Sequence, residues 1–571
     1  MFLMNFIKKH NIIILAHFWT LSGLASMHVY AAPSLPDPSN LPRTEPLPNF
    51  PTTNRPELEQ KEKPSYKPAI PKNTDIKVTV KQFKFTGNNF VSNEQLSFIL
   101  KDYLSRSVGM LELVEATRIV THYYRKQGFL LAQAYLPAQD IANNQVEIAV
   151  LEGNLGELKL RASENLNEAF LQGMAAHNLK SGDAIQEKNL VRNITTLNSL
   201  PGLRATAQLN PGSGIGTSDV EIELKPLPKW QTFVSANNYG NRFTGREVNQ
   251  ATIVMNNPAG IGDQLYATLR STGTGGQRGL QLGYQTPVSY SGTLLSLSYN
   301  YVDYELGGPF AILGATGKSQ YFNALVDEPL IRSSQKNLTG RAGVSYKLVS
   351  DEVASFALDN RRNIAGIELG LFGDWHDMSG TNQAGISLKY GNVNFKNAFA
   401  EALDKSGAQT EGQFIKYDLF ASRRQELPLN LSLTMRAEYQ GADQNLDSAE
   451  KFSLGGASRW RAFGELPATV DRGLLTGIEL RKTIFNNNSL ARLLLVGLSP
   501  YGFVDYGTGS INQNSLSKYN HVSSLQYGVG IDAKFKNNWL LGLAASHQKR
   551  DPDNGNTETD DRAWAQLQAE F

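Results

Sequence analysis

The chain has 571 residues, more than one core usually holds, so more than one domain is expected. Hydrophobic residues make up 41% and charged residues 19%, too apolar a mixture for a mostly disordered chain. Net charge is +2, which gives no reason to expect a nucleic-acid partner, and the absence of cysteine excludes disulfides, thiol catalysis and cysteine-ligated metal sites.

Lys8 and Lys9 precede an apolar stretch, Ile12 to Leu24, and small residues follow at Val29, Ala31 and Ala32. This pattern reads as a secretory signal over residues 1–31, cleaved after Ala31. No run of eighteen apolar residues follows it, which excludes a bundle of membrane helices. Residues 32–74 form a Pro-rich linker, since residues 33 to 75 carry 11 of the 24 prolines. Within it, Pro56 to Lys63 has room for about two helical turns with Pro at the first position, but it is short and almost wholly polar, so a solvated linker is the favoured reading from composition.

Residues 75–153 and 154–228 read as two small α/β units of similar order: strand, helix, helix, strand, strand. In the first, Val78, Val80, Phe83 and Phe85 mark one strand, and Ser92-Asn-Glu-Gln95 is a capping box. A helix from about Leu111 to Gln127 stops at Gly128. Strands follow at Leu130 to Leu136 and Val146 to Leu151. In the second unit Leu190, Ile194 and Leu197 share one helical stripe, and strands run through Leu203 to Leu209 and Val220 to Leu224.

From residue 229 to 571 the pattern changes to strict alternation in segments bounded by Gly, Asn, Asp and Ser. In the eleventh segment Leu429, Leu431, Leu433, Met435, Ala437 and Tyr439 share one face, opposite Asn430, Ser432, Thr434, Arg436, Glu438 and Gln440. A period of two in segments of about ten residues is the signature of a transmembrane β-barrel, apolar toward lipid and polar toward the lumen. About sixteen antiparallel strands are counted, an even number suited to closure. Tyr299, Tyr301, Tyr346, Tyr439 and Trp375 are placed near strand ends, as an interface girdle would be. The competing architecture is a soluble β-sandwich, which also alternates.

Several phrases occur in a fixed order: Gly128-Phe-Leu-Leu-Ala-Gln-Ala-Tyr-Leu-Pro-Ala-Gln-Asp140, Val146-Glu-Ile-Ala-Val-Leu-Glu-Gly153, Asn238-Tyr-Gly-Asn-Arg-Phe-Thr-Gly245 and Phe503-Val-Asp-Tyr-Gly507. Together they resemble the two-partner secretion transporters, the TpsB family of FhaC, haemolysin-activator and CdiB-type proteins within the BamA-like superfamily. The resemblance covers about Asp75 to Phe571. It implies two periplasmic POTRA domains, an outer-membrane barrel and an N-terminal helix able to plug the lumen, for which Pro56 to Lys63 is the candidate. It also implies export of one large secreted partner protein, of adhesin, haemolysin or contact-dependent inhibition toxin type, captured unfolded and driven by folding outside rather than by ATP. An outer-membrane lipid environment and a monomer are expected, with no cofactor. The alternatives are a BamA- or TamA-like assembly factor, which generally carries three or more POTRA units, and a passive porin, which needs no such modules.

The same resemblance singles out a loop tetrad, Trp460-Arg461-Ala462-Phe463, between the eleventh and twelfth strands. In the family it is usually Val-Arg-Gly-Tyr or Val-Arg-Gly-Phe, so Ala462 replaces a glycine tolerant of positive φ. The loop is about thirty residues long, a length usually tied to function, and the resemblance implies that it folds back into the lumen. The barrel-wall partner motif comprises Phe503, Asp505 and Gly507. Alternation points Tyr501, Phe503 and Asp505 inward, so an Arg461–Asp505 ion pair is expected. For partner binding, the candidate strands are Val146, Ile148 and Val150 in the first unit and Leu203, Ala205 and Ala207 in the second, acting as open edges. The eight histidines show no metal-binding spacing, and no nucleophile motif is present, so no enzymatic role is expected.

Overall fold

The computed structural model describes residues 58–59, 77–141, 144–163, 165–214, 216–454, 469–485, 495–514, 520–552 and 557–571. The expected signal, nearly all of the Pro-rich linker and the Trp460-Arg461-Ala462-Phe463 tetrad lie outside the described residues.

The first α/β module contains β1 (Lys77–Thr79), β2 (Gln82–Thr86), α1 (Asn93–Ile99), β3 (Ser107–Gly109), α2 (Met110–Lys126), β4 (Gln133–Tyr135) and β5 (Gln145–Leu151). The capping box forms as expected: Gln95 N donates to Ser92 Oγ at 3.3 Å and Ser92 N donates to Gln95 Oε1 at 3.2 Å. Leu113, Ala116, Val120 and Tyr124 recur on one face of α2 and are buried against Val146, Ile148 and Val150. The single strand expected through Val78 to Phe85 is two strands. β1 pairs with β3, which the sequence reading missed, while β2 pairs in parallel with β5. Val80 lies between them with its side chain fully buried, so the chain changes direction without losing its apolar anchor.

The second module contains β6 (Asn154–Arg161), α3 (Glu168–Ala175), α4 (Glu187–Ser199), β7 (Leu203–Pro211) and β8 (Thr217–Pro226). Leu190, Ile194 and Leu197 are all fully buried, as their spacing predicts. The buried Asn193 amide fastens α4 to the end of α3 by donating to Ala175 O at 2.8 Å and His177 O at 2.6 Å. The modules meet at Glu152 and Gly153. Glu152 is buried and accepts from Phe90 N at 2.9 Å, Tyr124 Oη at 3.0 Å and Asn89 Nδ2 at 3.1 Å. Gly153 has φ +76°, and a Cβ there would lie 2.5 Å from Leu131 Cβ, so only glycine fits the junction.

The remaining strands close a barrel of sixteen. They are β9 (Trp230–Asn237), β10 (Val248–Asn256), β11 (Gln264–Thr272), β12 (Gln277–Pro287), β13 (Leu294–Glu305), β14 (Ala315–Arg332), β15 (Lys336–Val353) and β16 (Leu358–His376). After β17 (Gly380–Phe395) comes a rim helix, α5 (Ala398–Ser406). Then follow β18 (Gly412–Leu427), β19 (Leu431–Ala442), β20 (Arg472–Lys482, continued by Ile484–Phe485), β21 (Leu495–Ser510), β22 (His521–Phe535), β23 (Trp539–Pro552) and β24 (Glu558–Glu570). The side chains are inverted relative to a soluble sheet. On β16, Ile367, Leu369 and Leu371 are exposed, whereas Arg362 and Ile364 on the opposite face are buried. That inversion decides for the membrane barrel over the sandwich, because a sandwich would bury the apolar face.

Tyr299 and Tyr346 lie in mid-strand rather than near strand ends. Tyr299 is the register partner of Phe322, and Phe322 of Tyr346, so the three form a row on the outer wall. β15 spans 18 residues, longer than an apolar band about 25 Å tall requires. The aromatic row therefore need not coincide with strand termini.

Closure rests on the seam between β9 and β24. Phe233 to Asn237 pair with Glu570 to Gln566, and Thr232 and Phe571 exchange backbone bonds at 2.9 and 3.0 Å. Beyond the ladder, Asn238 N donates to Ala565 O at 3.3 Å and the side chain adds two bonds: Ala565 N donates to its Oδ1 at 2.9 Å, and its Nδ2 donates to Ala563 O at 3.0 Å.

Candidate functional site in the barrel lumen

β9 leaves the second module, so the turn between β10 and β11 returns to the module side. That end is docked. Asn167 N donates to Gly260 O at 2.9 Å, Asn257 Nδ2 to Gly202 O at 3.0 Å, and Arg192 Nη2 to Pro329 O at 3.0 Å. Phe170 and Tyr290 pack with ring centroids 5.5 Å apart. The loop between β19 and β20 therefore leaves from the opposite end. Its described arms turn back into the barrel, where Phe452–Ser453 pairs antiparallel with Thr469–Val470. Leu446, Leu454 and Val470 are fully buried.

Charged groups from the wall seat the proximal arm. Glu450 is buried and forms ion pairs with Lys389 at 2.7 Å, Lys347 at 2.8 Å and Lys416 at 2.9 Å. Those lysines come from β17, β15 and β18. From the intervening β16, Arg362 pairs with Asp447 of the loop, with Asp351 at 2.6 Å, and donates to Ser448 Oγ at 3.0 Å. The distal arm is held by Asp471, which lies 2.9 Å from Lys451 and accepts from Gln513 N at 2.7 Å and Leu446 N at 3.2 Å. Asn445 and Asn514 add a reciprocal pair at 2.7 and 3.3 Å.

The wall motif lies where alternation places it. Phe503, Asp505 and Gly507 share the inner face of β21 and are buried, while Val504 and Tyr506 are exposed outside. Phe503 and Tyr501 are register partners of Gly528 and Gly530 and cover those glycines. Arg461 lies outside the described residues, so the expected Arg461–Asp505 pair does as well.

The two partner-binding strands differ from expectation. β5 is central rather than an edge. Gln145 to Ala149 pair with β2, Ala149 to Leu151 pair with β4, and Val146, Ile148 and Val150 point into the core. β7 is an edge strand, but Leu203, Ala205 and Ala207 are core residues. Its outer edge is engaged. Asn198 donates to Ala205 O at 2.9 Å and accepts from Ala205 N at 2.8 Å, and Leu58–Glu59 pairs in parallel with Ala207 and Gln208. Leu58 and Glu59 are thus extended, not part of a plug helix. An eight-residue polar window with no apolar face gains little from helix formation, whereas a strand edge offers ready backbone partners.

Sequence comparison decides the family. The model for "Haemolysin secretion/activation protein ShlB/FhaC/HecB" matches residues 216–533, and that for "POTRA domain, ShlB-type" matches residues 78–153. The chain belongs to that family. It is 27% identical over 480 residues to the heme/hemopexin transporter protein HuxB of Haemophilus influenzae, covering 82% of this chain and 84% of HuxB. It is 21% identical to the outer membrane transporter CdiB of Dickeya dadantii, covering 69% and 70% of the two chains. The fold matches CdiB from Escherichia coli with a TM-score of 0.70 at 17% identity, over 90% of this chain and 94% of that one. The protein is a two-partner secretion transporter of the outer membrane. Its POTRA domain, matched over residues 78–153, is periplasmic, and it works with a large secreted partner. The modules mark the periplasmic end, so the loop between β19 and β20 departs from the extracellular end.

The anchors Asp447, Glu450 and Asp471 were missed by the sequence reading. The available signal was weak: inward-facing lysines on neighbouring strands, whose register is unknown until the strands pair, and acidic residues flanking the family tetrad, Asp447 and Glu450 before it and Asp471 after it.

Proposed function

We propose that the transporter captures its partner as an extended chain at the POTRA pair, passes it through the lumen past the loop, and uses folding at the exit rather than nucleotide hydrolysis. It acts as a conduit, not a catalyst. The observation that carries this reading is the engaged edge of β7. Leu58–Glu59 lies there as a parallel strand, so this edge accepts extended polypeptide through its backbone. Capture at this edge requires the resident segment to yield. A disulfide between Glu59→Cys and Gln208→Cys, which are register partners, tests this in the full-length protein. Cargo in the medium is expected to fall under oxidising conditions and to recover with reductant. Full secretion with the disulfide formed would exclude the β7 edge as the capture site.

The family resemblance further supports an Arg461–Asp505 pair between loop and wall. Asp505 is buried on the inner face of β21, where loss of a cationic partner is costly. Arg461→Ala and Asp505→Ala are each expected to reduce export while the barrel remains in the outer membrane. Full secretion by both variants, at matched transporter levels, would end that assignment.

A further inference from the structure

Lys389 on β17 and Lys416 on β18 are direct register partners, and both point into the lumen. Like charges directly opposite one another on one face of a sheet repel. Both side chains are buried, so water screens them weakly. Lys347 reaches the same place from β15. Nothing in the sheet itself requires three lysines here; what joins them is Glu450, whose carboxylate lies within 2.9 Å of all three. The backbone adds to this grip: Lys347 Nζ donates to Ala449 O at 2.5 Å, and Lys416 Nζ donates to Glu450 O at 3.1 Å.

We propose that Glu450 is the built-in counterion of a three-lysine site in the barrel wall, and that this contact is the clamp that positions the proximal arm of the transport loop. Glu450 is a positioning residue: it sets where the loop sits in the lumen. The clamp lies on the β15–β18 wall, whereas Asp505 lies on β21. When Glu450 leaves, the lysines remain on the wall as a site for carboxylates or other small anions in the conduit. The secretion arm of the test rests on the transport reading, whereas the ion-selectivity arm rests on the charge geometry alone.

The test uses full-length protein in planar lipid bilayers under a potassium chloride gradient, with cargo secretion measured in parallel. Glu450→Gln keeps the side-chain shape and removes its charge. It is expected to shift the reversal potential toward that of chloride, raise resting conductance and lower secretion by roughly tenfold, with Glu450→Asp restoring both in part. Adding Lys389→Met and Lys416→Met to Glu450→Gln is expected to return the selectivity toward wild type while secretion stays low. A lower secretion with unchanged selectivity would reduce Glu450 to a packing role and overturn the proposal. A shifted selectivity with full secretion would overturn the positioning role. If Glu450→Gln does not assemble, Lys389→Met with Lys416→Met reads the same contact from the wall. It is expected to move selectivity toward cations and to expose the loop to external protease, and no change in either would overturn the proposal.

Discussion

The POTRA domain and the barrel each bury a glutamate, and they solvate it in opposite ways. In the first module Glu152 is held by neutral donors: a backbone amide, a phenol and a carboxamide. In the lumen Glu450 is held by three ammonium groups. The module surrounds its carboxylate with an apolar core in which a cation would need its own partners. The lumen wall supplies Lys347, Lys389 and Lys416 beside the loop, with Arg362 close by on Asp447. The comparison separates two tasks. Glu152 fixes a junction between domains and has no reason to release, whereas charge pairs in a lumen respond to ions and to passing polypeptide.

The largest effect should come from breaking the charged side of the comparison. Arg362 and Asp447 are both nearly fully buried, and Arg362 also carries Asp351. Arg362→Met removes the guanidinium shared by two carboxylates, which keep only neutral donors such as Tyr304 Oη and Ala449 N, and is expected to destabilise the folded barrel by about 3–5 kcal/mol. Urea titration of the heat-modifiable band in lipid would show it, and a shift under about 1 kcal/mol would mean that the lumen is hydrated enough to screen these charges.

A smaller contrast uses one residue type in two solvents. Ile194 is fully buried in the second module, whereas Ile367 is 57% exposed on the outer wall. Ile194→Ala leaves a cavity and is expected to cost about 2–5 kcal/mol. Ile367→Ala exchanges one lipid contact for another and should cost well under half of that. Equal losses in urea-dependent proteolysis and in barrel unfolding would contradict the inverted arrangement of the barrel.

Much of this architecture is legible from periodicity alone. The faces of β19 from Leu431 onward, the inward set on β21 and the stripe Leu190, Ile194, Leu197 follow from spacings of two and of three to four and are found as expected, whereas Leu429 and Asn430 turn with positive φ before β19 instead of extending its faces. What periodicity cannot supply is pairing. Val146 to Leu151 alternates like an edge strand, but whether two neighbours flank it depends on β2 and β4, which are distant or weakly patterned. Lys347, Lys389 and Lys416 are separated by dozens of residues and meet only through the barrel register. The break between β1 and β2 was hidden because Val78, Val80, Phe83 and Phe85 are all apolar, and apolar spacing is silent about a change of sheet.

The smallest effect sharpens the neutral side of the comparison and is read by pH. Tyr124 is fully buried, and its hydroxyl donates to Glu152 at 3.0 Å. Burial, followed by the Glu152 charge and hydrogen bond, pushes the Tyr124 phenol well above its ordinary value of 10.0. The folded module therefore keeps this proton at a pH where the unfolded chain has released it. The stability so gained is complete below the unfolded value, near 10, and declines as pH rises from there toward the folded value. Tyr124→Phe removes the titration and one of the donors to Glu152. At neutral pH it is expected to cost about 1–3 kcal/mol, because a hydrogen bond to a charged group is lost. Above pH 10 the gap between variant and wild type should narrow, since the wild type alone loses stability through this phenol. Pulse proteolysis of the full-length protein at graded urea, at pH 7 and above pH 10, measures both values. A gap that stays constant across that range would show that the Tyr124 proton is not linked to folding of the module.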